Sequence, residues 1–297
     1  MRYSFFPGCT MSSTGIEYSK SLKYVNKTIG VELLEINDWN CCGATAGPST
    51  SKELGVALPA RSISMCEQQK LGLPIAVACA ACYGRMRAAN YEAQVSQERR
   101  EKLARLIEMP IQGSLDIVSI LEVYDNDTAR EAIVNTIKKS LNGLRVASYY
   151  GCLFARPARI TGMPNVENPT MMDRTLELAG CTPVDWAFKT ECCGASHHID
   201  LPRFAKEPVR RILQNARANG AQAIATACPL CMMNLDMRQV EINKDYKENF
   251  DIPIFFFTEL LALALGADLK TAGVTTHFHP AAKLASNALA GKLVQHG

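Results

Sequence analysis

Pro74-Ile-Ala-Val-Ala-Cys-Ala-Ala-Cys82 and Ala221-Gln-Ala-Ile-Ala-Thr-Ala-Cys-Pro-Leu-Cys231 decide how this chain folds. Each is a short apolar run that ends on a cysteine, with a second cysteine three residues on. Runs of this length and character read as buried strands of a parallel sheet. A cysteine at the C-terminal end of such a strand stands on the edge where open α/β sheets gather ligands.

The same grammar extends outward from both stretches. In the first half, Arg2 to Phe6 reads as a strand delivering Cys9, residues 13 to 27 as a helix, and Val31 to Ile36 as a strand ending shortly before Cys41-Cys42-Gly43. A helix from Pro59 to Lys70 then leads back to the strand at 74 to 78. In the second half, Arg145 to Tyr150 leads to Cys152, Met171 to Ala179 is helical, Pro183 to Phe188 precedes Cys192-Cys193-Gly194, and Arg203 to Ala218 is helical. Gly8-Cys9 matches Gly151-Cys152 at an offset of 143, and Pro110-Ile111 matches Pro253-Ile254 at the same offset.

The pattern predicts an α/β chain of two related domains, each a small, mostly parallel sheet flanked by helices. Asp127 is expected to cap a linking helix whose core face is Ile133, Val134, Ile137 and Leu141, with Gly143 ending it. The expected domains are therefore 1–143 and 144–297, packed closely about a pseudo-twofold axis.

Composition narrows the function classes. With 297 residues, 47% of them apolar, the chain can bury a large core and needs no disulfide scaffold. A net charge of +3, without basic stripes or aromatic platforms, argues against nucleic acid. The longest apolar run, Ile254 to Leu265, contains Glu259 and is too short to span a bilayer. The first residues lack the form of a secretory signal, so a cytoplasmic setting is expected, where clustered thiols bind metal or do redox chemistry.

Ten of the twelve cysteines fall into Cys-x31-Cys-Cys-x36-Cys-x2-Cys and Cys-x39-Cys-Cys-x34-Cys-x2-Cys. Five thiolates exceed the four that tetrahedral zinc takes, and adjacent cysteines do not easily point at one small ion. The compact run of a ferredoxin is absent, so an iron–sulfur centre of unusual shape suits the array best. Two other readings compete. A zinc-stabilised scaffold is one; dithiol exchange at the Cys-x2-Cys pairs is the other, but it leaves the Cys-Cys-Gly pairs and the distant first cysteines without a role.

The doubled motif resembles the CCG-domain family, and a stand-alone chain with both copies intact is similar to the B-type catalytic chains of heterodisulfide reductases from methanogenic archaea. That resemblance implies two non-cubane [4Fe-4S] clusters, one on Cys9, Cys41, Cys42, Cys79 and Cys82 and the other on Cys152, Cys192, Cys193, Cys228 and Cys231. Which thiolate bridges two irons stays open. It further implies reduction of the coenzyme M–coenzyme B mixed disulfide between the clusters, with electrons from a ferredoxin-like iron–sulfur subunit of the C type and a flavin-containing subunit of the A type. Other CCG-type subunits serve succinate dehydrogenase, thiol:fumarate reductase, and lactate or glycolate oxidases, and they form the alternative.

Several residues have weaker claims. Cys66 and Cys181 read as buried, inert thiols outside the arrays. His197, His198, Arg85, Arg156 and Lys189 lie near array cysteines and could meet an anionic substrate tail or donate a proton, but a solvated or structural role is the favoured reading for each. His277 and His279 read as structural. Gly43 and Gly194 are expected to let the chain turn and bring amides to the cluster sulfurs.

Overall fold

A computed structural model of the chain describes residues 1–197 and 201–293, without the side chains of 202 and 203. It contains two four-stranded sheets, both wholly parallel. The first comprises β1 (Arg2–Phe6), β2 (Glu32–Glu35), β3 (Ile75–Val77) and β4 (Ile117–Ser119) in the order β2-β1-β3-β4. The second comprises β5 (Arg145–Tyr149), β6 (Thr182–Pro183), β7 (Ala223–Thr226) and β8 (Ile254–Phe256) in the order β6-β5-β7-β8. Their registers correspond: Ser4 pairs with Ile75 and Ile75 with Ile117, while Ala147 pairs with Ile224 and Ile224 with Ile254. The central strands β3 and β7 are buried along their whole length, as helix-covered parallel strands must be.

These registers correct one feature of the expected repeat. Ile117, not Ile111, occupies the place of Ile254, so the match of Pro110-Ile111 to Pro253-Ile254 reflects sequence coincidence rather than equivalent structure. The expected strand at 183–188 shrinks to Thr182–Pro183, because a proline cannot donate to the ladder and confines β6 to the sheet edge.

Helix starts also move. The helix expected from Pro59 begins at Lys52, where the Ser51 hydroxyl accepts the Leu54 N–H at 3.0 Å, and Pro59 sits inside it. The linking helix spans Asp127–Thr136 and is capped by Asn126, whose side chain accepts the Ala129 N–H. Ile133 faces the core, but Val134 is 56% exposed, and Ile137 and Leu141 lie beyond the helix.

The two halves interlock. The helix Ile16–Ile29 buries Tyr18, Leu22, Val25 and Ile29 at helical spacing and ends on Gly30 in the left-handed conformation. Against it lies the chain that follows β8: Phe256 stacks on Tyr18 at 4.4 Å between centroids, the Ser21 and Thr258 hydroxyls meet at 2.7 Å, and Thr276 donates to Glu17. The apolar run from Ile254 is thus β8 followed by the buried helix Phe257–Ala264. Among the described residues, no helix is long and apolar enough to cross a membrane.

Candidate thiol centres

Both sheets present their cysteines at the C-terminal strand edge. After β1 and β5, Gly8 and Gly151 turn the chain at φ 79° and 73° into Cys9 and Cys152. A Cβ on Gly8 would lie 3.2 Å from the Cys82 sulfur, and one on Gly151 would lie 3.3 Å from the Cys231 sulfur. Only glycine leaves the sulfurs room while adopting this backbone. After β3 and β7, Cys79 and Cys228 cap the helices Ala80–Val95 and Pro229–Tyr246, placing Cys82 and Cys231 in the first helical turn. Thiolates there face the positive end of a helix dipole.

The adjacent cysteines of the first array contact each other and extend to different partners. The Cys41 sulfur is 3.5 Å from that of Cys9, while Cys42 is 3.1 Å from Cys82. In the second array, Cys192 is hydrogen-bonded to Cys152, and Cys193 is 3.5 Å from Cys231. Sγ–Sγ separations of 3.1 to 3.9 Å exceed a disulfide bond of about 2.05 Å. Within the arrays the contacts of 3.1 and 3.5 Å are shorter than the roughly 3.8 Å between two thiolates on one tetrahedral metal with bonds of about 2.3 Å, a spacing that the 3.9 Å contact between the arrays matches. Among the described residues, no three His, Cys, Asp or Glu side chains converge on one ion-sized point; the sulfurs form runs, with Cys82 between Cys42 and Cys79 and Cys231 between Cys193 and Cys228.

Protons are shared unequally within each array. Hydrogen bonds from Cys41 and then Cys82 bring Cys42 down to about 4, outweighing its burial, and the Cys41 thiol that donates is pushed well up. Cys152 does the same for Cys192, which falls to about 6. Cys231 and Cys79 both lower Cys228. Each array therefore holds thiolate beside thiols that their neighbours and burial push up, Cys79 and Cys82 in the first and Cys152 and Cys231 in the second, and metal binding must displace the protons of those thiols.

The arrays adjoin. Cys79 and Cys228, at equivalent positions, approach to 3.9 Å, and the Ala80 N–H donates to the Ala227 carbonyl at 3.1 Å. The counterpart of Ala80 is Pro229, which has no N–H to donate to Ala78. The Tyr18 hydroxyl donates to that carbonyl instead, at 2.8 Å.

The Cys-Cys-Gly turns behave as expected of them. Gly43 and Gly194 both adopt φ 74°, and the Gly194 amide donates to the Cys192 sulfur at 3.3 Å. A Cβ on Gly43 would meet the Leu58 side chain at 2.6 Å. Two side-chain contacts not anticipated from sequence hold these turns from equivalent helix segments: Arg85 donates to the Ala44 carbonyl at 2.7 Å, and Asn234 to the Cys193 carbonyl at 2.6 Å. Cys66 and Cys181 are buried away from the paired sulfurs, with burial pushing both thiols up.

The cations proposed for an anionic substrate have partners in the protein. Besides Arg85, Arg156 pairs with Glu167 at 2.6 Å and donates to Thr190, while Lys189 is buried against Asp173 at 3.2 Å. His197 is exposed near Cys192, and His198 lies outside the described residues. His277 bridges Glu259 and the Ile254 carbonyl, and His279 bonds Asp251, which are structural contacts.

The cysteine-rich CCG domain matches residues 3–87 and 146–236. The 8-methylmenaquinol:fumarate reductase membrane anchor subunit of Wolinella succinogenes is 29% identical, with 95% of this chain and 98% of that protein covered. The B-type chain of a ferredoxin/F420H2-dependent CoB-CoM heterodisulfide reductase from Methanosarcina acetivorans is 27% identical, with 92% of each chain covered. A protein of Archaeoglobus profundus that is like the B-type chain of heterodisulfide reductase is 27% identical over 92% of this chain and 94% of its own. The crystal structure of a hypothetical protein from Helicobacter pylori shares the fold, with a TM-score of 0.72 at 14% identity over 94% of this chain, which spans 52% of that structure. Both matched segments contain a full set of five array cysteines, and this chain belongs to the CCG cysteine-rich domain family.

Proposed function

We propose that this chain is the iron–sulfur redox subunit of a multi-subunit reductase, with a non-cubane [4Fe-4S] cluster in each half. Cys9, Cys41, Cys42, Cys79 and Cys82 would hold one cluster, and Cys152, Cys192, Cys193, Cys228 and Cys231 the other. The observation that carries this reading is the continuous run of sulfur contacts: Cys41 meets both Cys9 and Cys42, and Cys42 also meets Cys82. Sulfurs strung out in this way, with no three ligands on one ion-sized point among the described residues, suit several irons better than one ion.

Bound there, the clusters would supply one-electron transfer and Lewis-acidic iron. The chain's own residues set the conditions. Two helix N-termini stabilise the negative charge of Cys79, Cys82, Cys228 and Cys231, and the amide of Gly194 does so for Cys192. The close junction of Ala80 with Ala227 brings the two arrays within electron-transfer contact. The domain limits 1–143 and 144–297 and a cytoplasmic location belong to the same reading.

For the substrate, the leading reading is reduction of the coenzyme M–coenzyme B disulfide, with electrons from a ferredoxin-like subunit and a flavin-bearing subunit. The Methanosarcina and Archaeoglobus relatives support it. A second reading, a quinol-linked subunit that passes electrons toward fumarate, is favoured by the Wolinella relative. It is also favoured by the engaged state of Arg85, Arg156 and Lys189 and by the cleft at the second array. The described lining of that cleft includes Thr45, Ala81, Cys152, Leu230 and Cys231 but no lysine or arginine to meet an anionic tail.

Reconstitution with the partner subunits tests both. Heterodisulfide turnover that is lost in Cys42→Ser and Cys193→Ser supports the first reading. Quinol:fumarate turnover lost in the same variants, without heterodisulfide activity, selects the second. Undiminished turnover in both variants contradicts a role for the arrays.

A further inference from the structure

Lys189 is 4% exposed, an unusual place for an ammonium group, and it lies three residues before Cys192. Its Nζ contacts both carboxylate oxygens of Asp173 at 3.2 Å and the Pro169 carbonyl at 3.4 Å. Asp173 in turn accepts the Tyr150 hydroxyl proton at 2.8 Å, and that hydroxyl accepts the Met172 N–H at 2.8 Å. The circuit closes through the backbone: the Lys189 carbonyl accepts from the amides of Tyr150 and Gly151, at 2.8 and 3.2 Å. Tyr150 and Gly151 directly precede Cys152.

We propose that Lys189, Asp173 and Tyr150 form a positioning triad for the second thiol centre, locking the Cys152 and Cys192 loops onto each other. Among the described residues, the first centre has no counterpart. The residue three places before Cys41 is Asp38, whose side chain is 70% exposed and pairs with Arg61 at the surface. Its loop is held from the surface instead: Arg61 also donates to the Asp38 carbonyl at 2.6 Å and to the Asn40 side chain at 3.2 Å, while Asn40 donates to the carbonyls of Cys41 and Leu58 and its backbone N–H donates to Ser62. A buried ion pair is stable only while both charges remain, so the second centre carries a fixed, unscreened dipole where the first has only the solvent-exposed pair of Asp38 and Arg61. The two centres are therefore electrostatically unequal despite their matched cysteines.

This inference rests on the iron–sulfur reading only for its spectroscopic arm. Lys189→Met and Tyr150→Phe are compared with wild type as isolated under anaerobic conditions. The rate of alkylation of each cysteine is followed by peptide mass spectrometry, and the iron signals by electron paramagnetic resonance. Cys152 and Cys192 should alkylate several-fold faster in Lys189→Met, with Cys9 and Cys41 unchanged, and only one of two iron signals should shift or weaken. If Lys189→Met does not fold, Tyr150→Phe, which keeps the ion pair, should show the same one-sided change. A folded variant with unchanged alkylation at Cys152 and Cys192, or with equal changes at both centres, overturns the triad. Wild-type protein without iron signals instead sinks the cluster reading, while the alkylation comparison still judges the triad.

Discussion

Gly84→Ala is the sharpest probe of how the halves meet. Gly84 lies inside the helix Ala80–Val95, and a methyl group there would sit 2.3 Å from the backbone oxygen of Leu153, next to Cys152. Carbon–oxygen contacts of this kind settle at about 3.3–3.6 Å, so roughly 1 Å of movement is required. The obstacle is backbone, which cannot swing aside as a flexible side chain would. Overpacking costs about 1–3 kcal/mol, and a backbone obstacle this close puts the cost at about 2–3 kcal/mol, offset by about 1 kcal/mol from replacing a helical glycine. The net loss is about 1–2 kcal/mol, which in a chain of this size lowers Tm by about 2–8 °C. The displaced segment includes Cys152, so the second centre should also lose iron while the first keeps it. Differential scanning fluorimetry and iron determination on anaerobically purified protein read both effects. A Tm equal to or above wild type, with full iron, would refute the close approach of this helix to the Cys152 loop.

Other consequences follow from particular contacts. Gly151→Ala forces a side chain onto φ 73° and toward the Cys231 sulfur, and Gly8→Ala does the same toward Cys82. Each variant should lose one centre of the two, measured as iron per chain, and a full complement in either would contradict the cradle. Tyr18→Phe leaves the buried Ala78 carbonyl without its donor and should cost about 1–2 kcal/mol in chemical unfolding; no measurable change would mean that the carbonyl has another partner. Stability should also depend on alkaline pH through His277. Burial alone would lower its pKa, but the Glu259 charge and hydrogen bond outweigh burial and raise it from 6.5 to about 9. A raised histidine pKa contributes stability fully present below 6.5 and lost as pH rises through about 9, up to about 3 kcal/mol. Burial raises Glu259 as well, which acts in the same direction. His277→Gln should flatten the Tm profile between pH 6.5 and 10, and an unchanged profile would refute the assignment.

The thiol arrays were legible in the sequence because cysteine chemistry is specific and the first three strands of each sheet lead to a cysteine. The fourth strands were not. Ile117–Ser119 is too short to show periodicity, and β8 passes into the helix Phe257–Ala264 without a polar break. Pro59 suggests a helix start by its own preference, yet the Ser51 cap sets the start one and a half turns or more earlier. The packing of Phe256 on Tyr18 joins residues from opposite ends of the chain, which no local pattern announces. For the same reason, charge near a cysteine favoured a structural role without showing the partner. Lys189 has its partner sixteen residues earlier in Asp173, so proximity in sequence to Cys192 reflects a buried ion pair rather than a basic group open to substrate.

The central claim is that each array holds several irons rather than one zinc ion. Iron, zinc and acid-labile sulfide measured on anaerobically purified protein test it most directly. The account predicts about four irons and comparable sulfide per half, falling by one centre in either Cys42→Ser or Cys193→Ser. One zinc ion in each half, without labile sulfide, would contradict it.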